Sequence, residues 1–205
     1  LRFVNAHRAV VTDTQLAAMA QARSDWYEGT VAMSFERSVM QVALALEDPI
    51  PADFMALIEE QRQQSDALLD KAVGEIAELE AFENASLVKA EVERARAAIA
   101  ALRQEANRLL TAAGQDRDPR RAKAAPYELK ALIEDLQATA TLLVLPQGLS
   151  TTRESVLSRI QALAWEVREY GGRARTFYAI ATLTEQPIPL GSAGEAAVDT
   201  TRGKA

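Results

Sequence analysis

The chain of 205 residues contains no cysteine and a single histidine, His7. Without cysteine there are no disulfides, no thiolate nucleophile and no cysteine-based zinc site, and one histidine leaves little acid–base or metal chemistry. Glycine (9 residues), proline (7) and aromatic residues (5%) are also scarce, whereas alanine occurs 40 times. This composition is typical of long helices and argues strongly against a sheet protein. We therefore predict an all-α protein.

Motifs for chemistry are missing as well. The sequence has no phosphate-binding glycine loop, no serine nucleophile elbow and no His-Glu metal motif. A di-iron bundle would need Glu-x-x-His pairs on facing helices, and His7 has no carboxylate within one helical turn. The many carboxylates, such as Glu59, Glu60, Glu75 and Glu78, are typical of the solvated faces of amphipathic helices. The sequence predicts no enzyme, no metal and no cofactor.

Charge and hydropathy narrow the class of partner. The net charge is −6 and the isoelectric point is near 5.0, whereas nucleic-acid binders usually carry a basic face. The longest uninterrupted apolar run covers only residues 97–102, and a membrane span needs about 20. We expect no nucleic-acid partner, no membrane span and no signal peptide within these residues.

Prolines and capping patterns divide the chain into helices. We predict helices at about 2–47, 53–80, 86–113, 119–145 and 151–185, with the start of a last helix at 192–205. Ser86 is the expected cap of the third helix and Gly114 its expected C′ residue, and Asp118 and Pro119 are expected to open the fourth unless Pro126 resets its start. Short joins favour an antiparallel bundle of the four-helix type, either one elongated bundle or two stacked ones.

Apolar residues at 3-to-4 spacing predict one packing face on each helix. Gly29 interrupts the first helix and could mark a bend there. The fifth helix opens with a capping-box pattern at residues 151–154. Its apolar stripe extends over many turns and comprises Val156, Ile160, Leu163, Val167, Tyr170, Ala174, Phe177 and Ala181.

Arginines on or beside these stripes are the strongest functional candidates. Arg37 shares a helical face with Trp26 and Leu44, so its guanidinium should point into the bundle. A buried charge needs a partner, which is either an acidic residue (Glu36, Asp25 or Glu169) or an anionic ligand. The two alternatives are about equally favoured, because the planar guanidinium suits carboxylate, nitrate and phosphate oxygens.

A second cluster occurs at residues 170–175. Two glycines there should let another backbone approach closely, and Arg173 lies beside the Tyr170 stripe. Arg62 is a third candidate, although a surface position also suits it. The predicted ligand-binding residues are Arg37, Arg173, Arg62, Arg175, Trp26 and Tyr170.

Three short motifs in the chain resemble sequences of a known protein family. Residues 34–38 (SFERS) on the first helix, 61–68 (QRQQSDAL) on the second and 169–175 (EYGGRAR) on the fifth resemble the nitrate- and nitrite-sensing family of all-helical bacterial sensor domains. The family typically has a Glu-Arg-Gly unit on its first helix, where this chain has Ser38, and its arginine pair is incomplete here because Phe35 and Glu36 precede Arg37.

The resemblance implies a periplasmic, extracytoplasmic portion of an inner-membrane receptor that pairs as a homodimer. Such domains lie between two membrane spans of chemoreceptors, histidine kinases or cyclic-dinucleotide enzymes. The uncapped first helix and the last helix that stops in mid-course predict a segment excised between two such spans. The implied function is binding of a small, anionic or polar ligand between the first and fifth helices, whose displacement is transmitted across the membrane. The alternative is a helical interaction or scaffolding bundle without a small-molecule ligand.

Overall fold

The computed structural model describes residues 2–46, 50–78, 85–140 and 152–188, with side chains of the first helix described mainly from Gln15 onwards. These residues form five α-helices and one short 3-10 turn, and none of them lies in a strand, so the all-α prediction is confirmed. The side chain of His7, the side chains of the 151–154 capping pattern and the expected helix at 192–205 lie outside what the structure describes.

The helices are α1 (Arg2–Ala45), α2 (Ala52–Ala77), α3 (Ala85–Thr111), α4 (Pro119–Ala140) and α5 (Thr152–Thr184), and the 3-10 turn is Gly114–Asp116. Each lies close to its predicted range. None of the described helices combines the length and the apolar character needed to cross a membrane.

The capping predictions were right for α4 and wrong for α3. Asp118 Oδ1 accepts hydrogen bonds from the backbone N–H of Arg120 (2.9 Å) and Arg121 (3.3 Å), as an N-cap does. Pro126 lies inside α4 and does not reset its start. Ser86 falls within the first turn of α3 instead of capping it, and Gly114 begins the 3-10 turn three residues after α3 ends.

Helices α1 to α4 form an up-down-up-down bundle in which α1 contacts all three others. Two hydrogen bonds show that α1 and α4 are antiparallel: Trp26 Nε1 donates to the carbonyl of Leu136 (3.1 Å), and Arg117 Nη1 donates to that of Leu46 (2.6 Å). The hydrophobic core between the four helices contains Trp26 and otherwise aliphatic residues and methionines, and its largest members include Met33, Met40, Ile58, Ile76, Val88, Val92, Leu129, Ile133 and Leu136.

Gly29 marks a close approach and not a break. Helix α1 continues through this residue. A Cβ atom at position 29 would lie 3.0 Å from Cγ of Leu69 on α2, which is closer than two carbon atoms normally pack. The absence of a side chain at Gly29 therefore allows α2 to pack closely against α1.

Helix α5 lies outside the four-helix bundle and packs against α1, but against no other described helix. The pairing of Arg37 with Glu169, and the shared lining of one cavity by Leu44 and Phe177, show that α5 runs parallel to α1.

The predicted packing face of α5 is wrong for its first half. Val156, Ile160, Leu163 and Val167 are 51%, 54%, 50% and 46% exposed. The residues that face α1 come from the other side of the helix and include Trp165, Glu169, Gly172 and Thr176. At 3.6 residues per turn, the exposed stripe lies roughly 180° around the helix from Trp165. Periodicity located the stripe correctly, but it did not show which face of α5 meets the bundle.

Candidate functional site

The six predicted ligand-binding residues do not converge on one point. Arg37 and Arg175 line a cavity between α1 and α5, whereas Arg62 lies in a separate buried cluster. Trp26 belongs to the core of the bundle, where it is 1% exposed. The remaining two, Tyr170 and Arg173, lie against each other on α5.

The cavity between α1 and α5 has a volume of about 470 Å³. Its lining combines aromatic and aliphatic side chains with hydroxyl and charged groups, a mixture that suits a small polar ligand. The polar members are Ser34, Arg37, Ser38, Arg168, Glu169, Arg175 and Thr176.

An ion pair joins the two helices at this cavity. Arg37 Nη1 lies 3.0 Å from Glu169 Oε1, and both side chains are only 4% exposed. The sequence-based expectation that Arg37 points inward is therefore confirmed, and of its three acidic candidates the partner is Glu169. Arg173 Nε approaches the same oxygen at 3.7 Å, and its guanidinium lies 4.7 Å from the centre of the Tyr170 ring.

Glu169 Oε2 and Ser34 Oγ are buried polar atoms at the cavity for which the described residues supply no hydrogen-bond partner. A buried polar atom without a partner costs free energy, so both atoms would gain from a new hydrogen bond or from a rearrangement of the pair. The hydrogen-bonding capacity of the polar groups at this contact between α1 and α5 is therefore not fully used.

The two glycines of α5 border open space instead of another backbone. A Cβ atom at Gly171 or Gly172 would meet nothing within 4 Å, so the expected close backbone approach is wrong. Gly172 lines the cavity, and its missing side chain helps to keep the space between α1 and α5 open.

The second charged site lies inside the four-helix bundle and centres on Glu36, which is 0% exposed. Arg62 Nε donates to Glu36 Oε1 at 2.7 Å, and Arg103 Nη2 donates to Glu36 Oε2 at 2.7 Å. Arg62 Nη1 also donates to Asn107 Oδ1 at 2.7 Å, and Arg103 Nη1 donates to Asp66 Oδ1 at 2.8 Å. We call these five residues the Glu36 cluster. It joins α1, α2 and α3.

Arg62 is thus buried. The surface position that the sequence also allowed for it is wrong. It lies four residues after Ile58 and seven before Leu69, both of which are buried, so periodicity could have placed it on the inner face of α2. Glu36 was missed as a site residue, although it lies three residues after Met33 and therefore near the inner face of α1. Burial lowers the pKa of Arg103, but hydrogen bonds with Glu36 and Asp66 outweigh it and leave that pKa above its usual value.

The charges of the Glu36 cluster balance, because two arginines face two carboxylates. Such a cluster holds three helices in register and leaves no excess charge for a ligand. No group of described residues has the histidine and carboxylate arrangement that would hold a metal ion.

A larger cavity of about 650 Å³ lies between the C-terminal ends of α1 and α5 and the N-terminal half of α4. Its lining is mainly aliphatic and aromatic, and the charged side chain that borders it is Lys123. Because none of the six predicted residues lines it, the cavity at the Arg37–Glu169 pair is the better candidate for a polar ligand.

Comparison with protein-family models, with curated proteins and with solved structures gives no match to this chain. The resemblance to nitrate- and nitrite-sensing domains thus stays a prediction, and the function must be argued from the geometry.

Proposed function

We propose that this protein is the extracytoplasmic ligand-sensing domain of a bacterial membrane receptor, such as a chemoreceptor or a sensor kinase. A small anionic or polar molecule binds in the cavity between α1 and α5. The observation that carries the proposal is the buried Arg37–Glu169 ion pair, which links the only described helix outside the bundle to α1 beside a cavity of ligand size.

The chemistry of the pair suggests how binding could move a helix. An anion in the cavity competes with the Glu169 carboxylate for the Arg37 guanidinium, which offers several N–H donors in a fixed fork. Arg168 and Arg175 line the same cavity and supply further positive charge. When Glu169 gives up Arg37, α5 loses an attachment to α1 and can shift along it.

The bundle is suited to be the fixed partner in that motion. Helix α1 is held by α2, α3 and α4 through a continuous core and through the Glu36 cluster, whereas α5 packs against α1 alone among the described helices. A ligand shifts such an equilibrium only by its difference in affinity for the two helix arrangements. The competition for Arg37 provides that difference.

Binding is tested by calorimetric titration and thermal shift with sodium nitrate, nitrite, formate, acetate and amino acids. We expect a saturable response to at least one of these probes, which is lost in R37M/E169Q, since this double variant removes both charges of the pair together; Arg173, which also approaches Glu169, keeps its contact with the Tyr170 ring. The matched control is R94M on α3, whose arginine is 57% exposed and remote from the cavity. No response of the unmodified protein to any probe would count against direct sensing.

Helix displacement is measured separately. Because the chain has no cysteine, spin labels can be placed specifically at Glu28 on α1 and Ala164 on α5, both of which are exposed. The proposal expects the distance between the labels to change with the active probe. An unchanged distance at saturation would refute the helix shift while leaving binding intact.

A second candidate function, a protein-interaction or scaffolding bundle, is favoured by the exposed aliphatic stripe of α5. In that case Arg37 and Glu169 form a purely structural pair. The R37M/E169Q variant distinguishes the two, because it would leave partner binding intact and abolish only a ligand response.

A further inference from the structure

We propose that the cavity between α1 and α5 binds an α-amino acid with an apolar side chain, and not a simple anion such as nitrate. The two charged ends of the ligand enter the ion pair between the helices. The ligand carboxylate takes the guanidinium of Arg37, and the ligand ammonium group takes the carboxylate of Glu169. The inference rests on the proposed sensing function and names the class of ligand for the same cavity.

A ligand that takes Arg37 must also provide a partner for Glu169. The Glu169 side chain is only 4% exposed, and its Oε1 atom lies 3.0 Å from Arg37 Nη1. An anion alone would separate the two and leave a buried carboxylate without this partner, which is strongly destabilising. Arg173 Nε lies 3.7 Å from the same oxygen, which is too far for a hydrogen bond, so it does not replace Arg37. An ammonium group on the ligand restores the lost interaction.

Two buried oxygen atoms beside the pair mark the place of the ammonium group. The described residues supply no hydrogen-bond partner to Glu169 Oε2 or to Ser34 Oγ. A carboxylate oxygen only accepts hydrogen bonds, so the group that satisfies Oε2 must be a donor. An ammonium group offers several donors and a positive charge, whereas nitrate and an ionised carboxylate offer no donor. The unsatisfied oxygen of Glu169 therefore favours a ligand with a positively charged end.

The opposite end of the ligand must be negative. Arg37 provides a planar fork of N–H donors that matches a carboxylate, and Arg168 and Arg175 line the same cavity. A ligand with an ammonium group alone would add positive charge to a site where arginines already outnumber carboxylates. Both charged ends are therefore needed, as in the backbone part of an α-amino acid.

The size and the lining of the cavity indicate the rest of the ligand. The volume of about 470 Å³ is many times that of a nitrate ion and lies in the range typical of sites for organic molecules. Apolar side chains from three helices complete the lining, namely Val31, Phe35, Val39 and Val42 of α1, Phe54 of α2, and Trp165, Ala179 and Leu183 of α5. Burial of an aliphatic or aromatic side chain against this lining is favourable. The cavity thus suits an amino acid such as leucine or phenylalanine.

Calorimetric titration of the whole chain with matched ligands tests the inference. The probes are L-phenylalanine with phenylpropionate and phenylethylamine, and L-leucine with isocaproate and isoamylamine. In each series the second compound lacks the amine and the third lacks the carboxylate. We expect at least one of the two amino acids to bind, and its two analogues to bind about 10- to 100-fold more weakly, because each leaves one buried group of the pair without a partner.

The same titrations separate this inference from the proposed function. If an amine-free acid or sodium nitrate bound as tightly as either amino acid, or more tightly, the inference would be overturned and anion sensing would stand. The inference would also be overturned by an amine that binds as tightly as its amino acid. Absence of heat with every probe would refute the sensing function and the inference together.

The E169Q variant tests where the ammonium group binds, because glutamine keeps the shape of the side chain and removes its charge. We expect the affinity for the amino acid to fall at least about tenfold relative to that for the amine-free acid. The matched control is E166Q, since Glu166 is an exposed residue of α5 that does not line the cavity. This control should keep the ratio of the two affinities. Circular dichroism checks that both variants keep their helix content, and an unchanged ratio in folded E169Q would overturn the assignment of the ammonium group to Glu169.

Discussion

The Glu36→Gln substitution is the sharpest test of how the bundle is held together. Glutamine keeps the shape of the side chain but removes its charge and replaces one oxygen by an NH₂ group. Two guanidinium donors, Arg62 Nε and Arg103 Nη2, then lose a carboxylate that each contacts at 2.7 Å in a site without solvent access. Removing one partner of a buried ion pair costs about 3–5 kcal/mol. We expect the lower part of that range, because Arg103 keeps Asp66.

The assay is urea unfolding followed by far-UV circular dichroism, with the midpoint compared at equal slope. The matched control is E59Q, since Glu59 lies 3.9 Å from Arg62 but is 58% exposed. We expect it to change the free energy of unfolding by less than about 1 kcal/mol. Equal effects of E36Q and E59Q would refute the view that Glu36 anchors a buried network.

Replacing the buried charges of the cluster together provides an independent check. The triple variant E36M/R62M/R103M removes three charges together with their desolvation penalty and leaves Asp66, whose side chain is 61% exposed; apolar replacements of buried ion clusters are often neutral or stabilising. We expect it to be clearly more stable than E36Q. A triple variant that is less stable than E36Q would show that packing, and not charge, dominates at this position.

Two further predictions concern glycine packing and pH. G29A should destabilise the protein, because overpacking against Leu69 costs about 1–3 kcal/mol and exceeds the gain of about 1 kcal/mol in helix propensity, whereas G74A has open space and should stabilise it by about 0.5–1 kcal/mol. Thermal melts of the two variants measure both changes in stability. A stabilising effect of G29A would contradict the close contact with Leu69. Burial, together with the charge of Asp25, raises the pKa of Glu75 above its usual value of 4.5. Ionised Glu75 therefore costs stability above its folded pKa, so E75Q should raise the melting temperature at about pH 7. That gain should disappear as the pH falls below about 4.5. If E75Q raised the melting temperature by the same amount at about pH 4 as at about pH 7, the raised pKa of Glu75 would be contradicted.

Local patterns were enough to find the helices. An alanine-rich chain with few glycines and prolines leaves long stretches that favour helix, and the periodicity of apolar residues is a property of each helix by itself. For the same reason the burial of Arg37 was predictable, because it shares a face with Trp26 and Leu44. The Asp118 cap of α4 could also be identified, since capping depends on residues within one turn.

Other features depended on which helices meet. Glu169 is 132 positions after Arg37 in the chain, and nothing local selects it over Glu36 or Asp25 as the partner of Arg37. The Glu36 cluster brings together three helices, and periodicity, which places Arg62 and Glu36 near the inner faces of their own helices, does not show that the two side chains meet.

Helix α5 illustrates the difference between what the sequence determines and what only the tertiary structure decides. The sequence by itself determined that α5 is a helix with a continuous apolar stripe, because both depend on spacing along the chain. Only the tertiary structure decided that Trp165 and Glu169 face α1 and that Ile160 and Leu163 face outward. The physical reason is that burial depends on the neighbour that covers a face, and an amphipathic helix can be docked by a polar face when an ion pair and small residues fit there.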